Sequence, residues 1–157
     1  MIIPSNIRPF WDEFLTSIDF DASSRFYEVF HFDDNEATAD FLAELVLKGT
    51  KRATASLLWV FEAENKLVPK PGDLSVVTNW ASEPLCIIES TVIDIVPYNK
   101  VTEKFAATEG EGDESLRYWL EVHWDYFGRA CQRIGREPSL EMPVICEQFE
   151  VIYPLSK

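Results

Sequence analysis

The segment Gly49-Thr50-Lys51-Arg52-Ala53-Thr54 constrains the fold of this chain more tightly than any other. It follows a helix end and sets a lysine and a hydroxyl three residues apart just beyond it. Residues 33–48 read as an amphipathic helix with a capping-box start at Asp33 and Glu36, and Gly49 suits the left-handed stop position. Because Lys51 and Thr54 are an odd number of residues apart, a regular strand would send their side chains to opposite faces. The spacing therefore predicts a turned or bulged backbone around residues 50–54, with a pocket over it.

The rest of the chain alternates helical and strand patterns. Pro9 in a first turn, with Phe10, Trp11, Phe14, Leu15 and Ile18, predicts a short amphipathic helix packed on the remainder. A turn-rich connection over 19–24 leads to an aromatic-rich strand over 26–32, while residues 56–64 suit either a buried helix or a strand. Lys70-Pro71-Gly72-Asp73 reads as a turn feeding strand 74–78, which pairs with the β-branched run 85–96 in an antiparallel hairpin. Residues 102–108 predict a short helix and 109–113 an acidic, glycine-bearing loop. A long helix over 114–134, capped by Asp113 and stopped by Gly135, carries Leu116, Trp119, Leu120, His123, Trp124, Phe127, Ala130, Cys131 and Ile134 on adjoining turns. Its aromatic side is expected to cover one mouth of a barrel that residues 143–153 close.

With 157 residues and 46% hydrophobic content, one domain with an ordinary core is expected. Its 14 basic and 27 acidic side chains leave a net charge of −13, which works against electrostatic capture of a long polyphosphate. Lys48, Lys51 and Arg52 form one local basic cluster; Arg129, Arg133 and Arg136 form another, where complementing a helix dipole is the simpler role. Cys86, Cys131 and Cys146 are odd in number and lie in apolar surroundings, so reduced core thiols are expected. The start lacks a basic leader and no stretch reaches membrane-spanning length, which predicts a cytoplasmic protein with no membrane partner.

Gly49-x-Lys51-x-x-Thr54 after such a helix resembles the signature of the ASCH domain family. The likeness continues through Ala55-Ser56-Leu57-Leu58-Trp59, Pro69-Lys70-Pro71-Gly72-Asp73-Leu74, Val96-Pro97-Tyr98-Asn99-Lys100-Val101-Thr102 with Phe105-Ala106, and Glu109-Gly110-Glu111-Gly112-Asp113 followed by Leu116 and Trp119. These stretches occur in family order over roughly residues 26–153. The six-residue motif alone has low specificity; the ordered set has much more. The resemblance implies an α+β fold of PUA-like type, a mixed or antiparallel β-barrel with flanking helices, over 26–157, preceded by a helical extension over 1–25. It also implies recognition of RNA or a modified nucleoside, with some relatives hydrolysing the amide of N4-acetylcytidine or cutting RNA.

Taken alone, the motif also describes a solvated lysine after a helix; the ordered resemblance turns the balance toward function. A lysine in a partly dry pocket sheds its charge more readily and can act as base or nucleophile. Thr54 can be activated by it, hold a water or substrate carbonyl, or serve as a satisfied turn hydroxyl. The resemblance sets Glu109 at the acidic position that assists departure of an amine, with Glu111, Asp113 and Glu114 close by in the same loop. The expected catalytic set is Lys51, Thr54 and Glu109, and the expected substrate-binding set is Gly49, Arg52 and Trp59. Trp80, Tyr98, Tyr118, Trp119 and Trp124 are further stacking surfaces, although Trp124 shares the predicted core stripe of its helix. His31 and His123 lack ligand spacing, so no metal and no cofactor are expected. Three functions stand open: a hydrolase acting on an acylated cytidine or, second, on RNA; a non-catalytic RNA-binding module; and a domain for a peptide or small ligand. A nucleoside or short RNA is the expected partner.

Overall fold

The β-branched and aromatic runs assemble into one five-stranded sheet in a computed structural model that describes residues 2–154. Its strands are β1 (Phe26–Phe30), β2 (Ala53–Leu57), β3 (Leu74–Thr78), β4 (Pro84–Pro97) and β5 (Pro143–Tyr153), in the order β1-β3-β4-β5-β2. The expected β3–β4 hairpin is present, with Val76 opposite Ile87. β5 runs antiparallel to both β4 and β2, and β1 joins β3 in parallel. Register shifts near Ile87 and between Ser90 and Val92 interrupt the β4–β5 ladder, where bulges increase twist and bend long strands. β1 and β2 are the outer strands and share no ladder, so the barrel stays open along a seam between them.

Among the described residues five α-helices surround the sheet: α1 (Arg8–Thr16), α2 (Glu36–Leu47), α3 (Leu58–Ala63), α4 (Glu103–Glu109) and α5 (Leu116–Arg133). α1 buries Trp11 and Phe14 with Ile7 against Leu74, Val76 and Ile87. α2 sets Leu42 and Val46 beside Val77, Ile88 and Phe149. α5 seats Trp119, Phe127, Ala130 and Cys131 with Ala53, Leu57, Val144 and Cys146 of the sheet and with Phe105 and Ala106 of α4. The ambiguous stretch 56–64 divides between the end of β2 and α3. All three cysteines are buried and unbonded, and among the described residues no helix is long and apolar enough to cross a membrane.

Three local expectations are corrected. The cap of α2 is Asn35, which accepts the Thr38 amide, while Asp33 sits at φ 57° in the preceding loop. The cap of α5 is Ser115, accepting from the Tyr118 amide, with Asp113 two residues earlier accepting from the Ser115 amide. The buried stripe of α5 runs through Trp119, His123 and Phe127, spaced by four, which rotates Trp124 outward against Tyr98.

Candidate functional site

The backbone between α2 and β2 explains how Lys51 and Thr54 converge. Gly49 adopts φ +80°, and the Thr50 and Lys51 amides both bond to the Leu45 carbonyl at 3.0 and 3.1 Å, wrapping the chain around the helix end. The Arg52 amide then bonds to the Thr108 carbonyl at the end of α4, and β2 starts only at Ala53. Lys51 therefore precedes the strand and escapes its alternation, as the odd spacing predicted. Its side chain turns inward, and Lys51 is only 1% exposed.

Lys51 Nζ donates to Glu109 Oε2 at 2.8 Å, Glu111 Oε2 at 2.6 Å and the Ala53 carbonyl at 2.8 Å, with the Phe32 ring centroid 5.2 Å away. Glu109, also 1% exposed, receives the Trp119 indole N–H at Oε1 over 2.9 Å and faces His123 Nε2 at 3.3 Å. The other nitrogen of His123, Nδ1, lies 2.9 Å from the Trp119 carbonyl, and the imidazole stacks on the Trp119 ring at 4.0 Å. Acceptors at both ring nitrogens call for two N–H groups, which is the imidazolium form.

Gly110, between the two glutamates, makes this closure possible. It adopts φ +70°, and a Cβ there would stand 2.2 Å from the Thr50 carbonyl oxygen. Only glycine lets the α4–α5 loop press its backbone onto residues 50 and 51 while turning a carboxylate to each side.

Burial works against the Lys51 ammonium, but Glu109 and Glu111 outweigh it and hold the Lys51 pKa above the usual lysine value. The expectation of a partly neutral lysine is thereby corrected: two adjacent carboxylates keep the cation. Burial likewise works against a charged His123, and Glu109 reverses that effect and raises its pKa. Burial also works against the Glu109 carboxylate, yet Lys51 and His123 hold its pKa well below the usual range. Glu111 is the exception, because desolvation and the neighbouring Glu109 charge exceed the help from Lys51 and push it up to about 7. One fixed carboxylate and one that titrates near neutrality thus flank a single cation.

This network floors a small well of about 50 Å³ walled by Phe32, Asp33, Leu42, Thr54, Val122 and Tyr126. Thr54 and Tyr126 also line a groove of about 250 Å³ that follows the open seam past Glu28, Phe30, Ser56 and Glu147. Arg129 bonds Asp34 through Nε at 2.9 Å and Arg133 approaches it at 3.7 Å, so much of the later basic cluster is spent tying α5 to the loop before α2. Among the described residues, no group of three His, Cys, Asp or Glu side chains is placed to hold a metal ion.

Of the six residues singled out in the sequence, Lys51, Thr54 and Glu109 meet at the well. Gly49 and Arg52 do not wall the well; they line a different hollow with Lys48, Phe149 and Lys51, and Arg52 is exposed where Lys51 is buried. Trp59 packs on the α5 core beneath the Arg136 guanidinium, 3.8 Å from its centroid, and is not among the residues walling the well or the groove. His123, Trp119 and Tyr126 enter the site from α5, and Glu111 from the acidic loop. A four-residue spacing of Trp119 and His123 on a helix following that loop was the available signal for the first two.

The open five-stranded sheet with its flanking helices is an α+β fold of PUA-like type. The chain belongs to the ASCH domain family, which matches residues 28–153. A solved ASCH domain from Lactobacillus crispatus JV V101 is 38% identical over 95% of each chain, with a TM-score of 0.88. Protein EF3133 from Enterococcus faecalis V583 is 33% identical over 94% of this chain and 88% of its own, with a TM-score of 0.83. The hypothetical protein PH0355, at 16% identity and a TM-score of 0.52, shares the fold over 81% of this chain and 99% of its own. No curated protein matches the sequence.

Proposed function

We propose that this chain hydrolyses the acyl amide of a small modified nucleoside of the N4-acylcytidine type. One observation carries the reading: a fully buried lysine, bonded to two carboxylates of unlike proton affinity, floors a well that Thr54 also lines. Buried ionic networks are costly, and perturbed titration in a cleft marks a candidate site.

Glu111, ionised in part near neutrality, takes a proton from water as the water oxygen bonds to the acyl carbon. The Thr54 hydroxyl donates to the oxyanion that develops, and the Lys51 ammonium, whose three N–H groups are held by Glu109, Glu111 and the Ala53 carbonyl, stabilises it through its charge. Glu111 then returns the proton to the exocyclic nitrogen as the carbon–nitrogen bond breaks, releasing a carboxylic acid and the free amine. Glu109 stays ionised and positions Lys51 and His123, so the base is a carboxylate and not the lysine. The well suits an acyl group, and the groove beside it is large enough to receive a planar ring. A net charge of −13 favours an uncharged nucleoside over an RNA strand.

Incubation with N4-acetylcytidine, followed by separation of cytidine, tests the reading. Turnover should rise with pH through about 7 as Glu111 ionises, and Glu111→Gln should lower it about 10²- to 10⁴-fold. Turnover by Glu111→Gln at the parent's rate sinks the assignment. Retention of single-stranded RNA without product would favour the binding module instead.

A further inference from the structure

Glu147 lies directly opposite Thr54 in the β2–β5 ladder, and both line the seam groove. Residues opposed in an antiparallel pair point to the same face with Cβ atoms about 5 Å apart. Whatever acyl group reaches Thr54 therefore leaves the atoms next to it within range of Glu147. Ser90, itself 1% exposed, donates to Glu147 Oε2 at 2.7 Å; among the described residues Oε1 takes no hydrogen bond. The carboxyl is half-buried and, among the described residues, no buried side-chain polar atom lacks a partner, so Oε1 faces the solvent of the groove, where a ligand can reach it.

We propose that Glu147 reads the substrate's pairing edge, a ring nitrogen that accepts a hydrogen bond beside an exocyclic N–H that donates one. The inference rests on the acyl-nucleoside reading for the placement of the ring. In its acid form the carboxyl complements that edge in both directions: Oε1–H donates to the ring nitrogen, and Oε2 accepts from the exocyclic N–H while keeping its bond from Ser90. Burial supports that form, since it pushes the Glu147 carboxyl up to about 7, with Glu28 on β1 and Asp73 ahead of β3 adding negative charge and Ser90 and Lys66 opposing it. Glu28 is itself engaged by Lys66 at 2.6 Å, which leaves Glu147 as the groove carboxyl opposite Thr54. Hence the edge recognised is that of an aminopyrimidine such as cytosine, and acyl esters without an N–H gain nothing from this residue.

Equilibrium binding of cytidine and N4,N4-dimethylcytidine to the intact protein tests this without requiring turnover. The parent should prefer cytidine by about 10- to 100-fold, the size of one bidentate edge contact. Glu147→Ala should bring that preference close to unity, while Glu147→Gln, which retains one donor and one acceptor, should preserve it. A mere loss of structure would weaken both ligands alike and leave the ratio unchanged. Equal binding by the parent, no binding of either ligand, or a ratio unmoved by Glu147→Ala overturns the proposal. Discrimination without hydrolysis of N4-acetylcytidine would retain Glu147 as the edge reader and remove the hydrolase reading alone.

Discussion

Replacing Glu111 by glutamine should make the protein more stable above neutral pH while disabling the proposed chemistry. The carboxyl sits beside Glu109 in a desolvated loop, and its pKa rises from 4.5 to about 7 on folding despite the Lys51 ammonium 2.6 Å away. A group whose folded pKa is raised holds its proton more tightly in the folded state, so its contribution is full below 4.5 and is lost as pH climbs to about 7. At about 1.4 kcal/mol for each tenfold change in proton affinity, the gap comes to about 3 kcal/mol. Glutamine imitates the protonated acid, keeps an acceptor for Lys51 and removes the ionisation. Urea unfolding of parent and Glu111→Gln should therefore agree to within about 1 kcal/mol at pH 4.5 and separate in favour of the variant by about 3 kcal/mol at pH 8. Equal or lower stability of the variant at pH 8 would refute the premise that this carboxylate is held at a cost. The gain in stability with loss of turnover is the trade expected where an active site retains a strained charge.

Two backbone and packing changes probe the same site. Gly110→Ala forces a Cβ to 2.2 Å from the Thr50 carbonyl oxygen at a positive φ, and should cost about 3 kcal/mol or more in chemical unfolding. Gly49→Ala meets no atom within 4 Å, so only its left-handed backbone is penalised, by about 1 kcal/mol; similar losses for the two would discredit the close approach. Trp119→Phe removes the indole donor from Glu109 Oε1 and should cost about 1–3 kcal/mol. Because Glu109 contributes stability that is lost as pH falls through its lowered folded pKa, this variant should also begin acid unfolding at a higher pH than the parent, as circular dichroism would show.

Much of this architecture could be read locally. The Lys70–Asp73 turn and the β-branched run after it announced the β3–β4 hairpin, and Gly49 and Gly135 marked where helices stop. Cap positions shifted by two residues at both α2 and α5, because several Asp, Asn and Ser side chains compete there and each can accept an amide hydrogen. The phase of α5 was also beyond local reading. Trp119 and Trp124 are equally apolar, and burial against α4 and β2 selected the first.

What the amino-acid order determined by itself is the motif and the elements around it: a helix that must stop at Gly49, a lysine placed before a strand, and an acidic loop supple at Gly110. Turn chemistry and periodicity act over a few residues, so they survive without the rest of the molecule. Tertiary structure decided the electrostatics. It brought Glu109, 58 residues from Lys51, to 2.8 Å, added His123 and Trp119 from α5, and left β1 and β2 without a ladder between them so that a groove opens beside Thr54. Proton affinity depends on desolvation and on charges a few ångströms away, and neither is set until distant segments share one buried volume. That is why the lysine that looked ready to lose its proton keeps it, and why a glutamate beside it becomes the group that titrates.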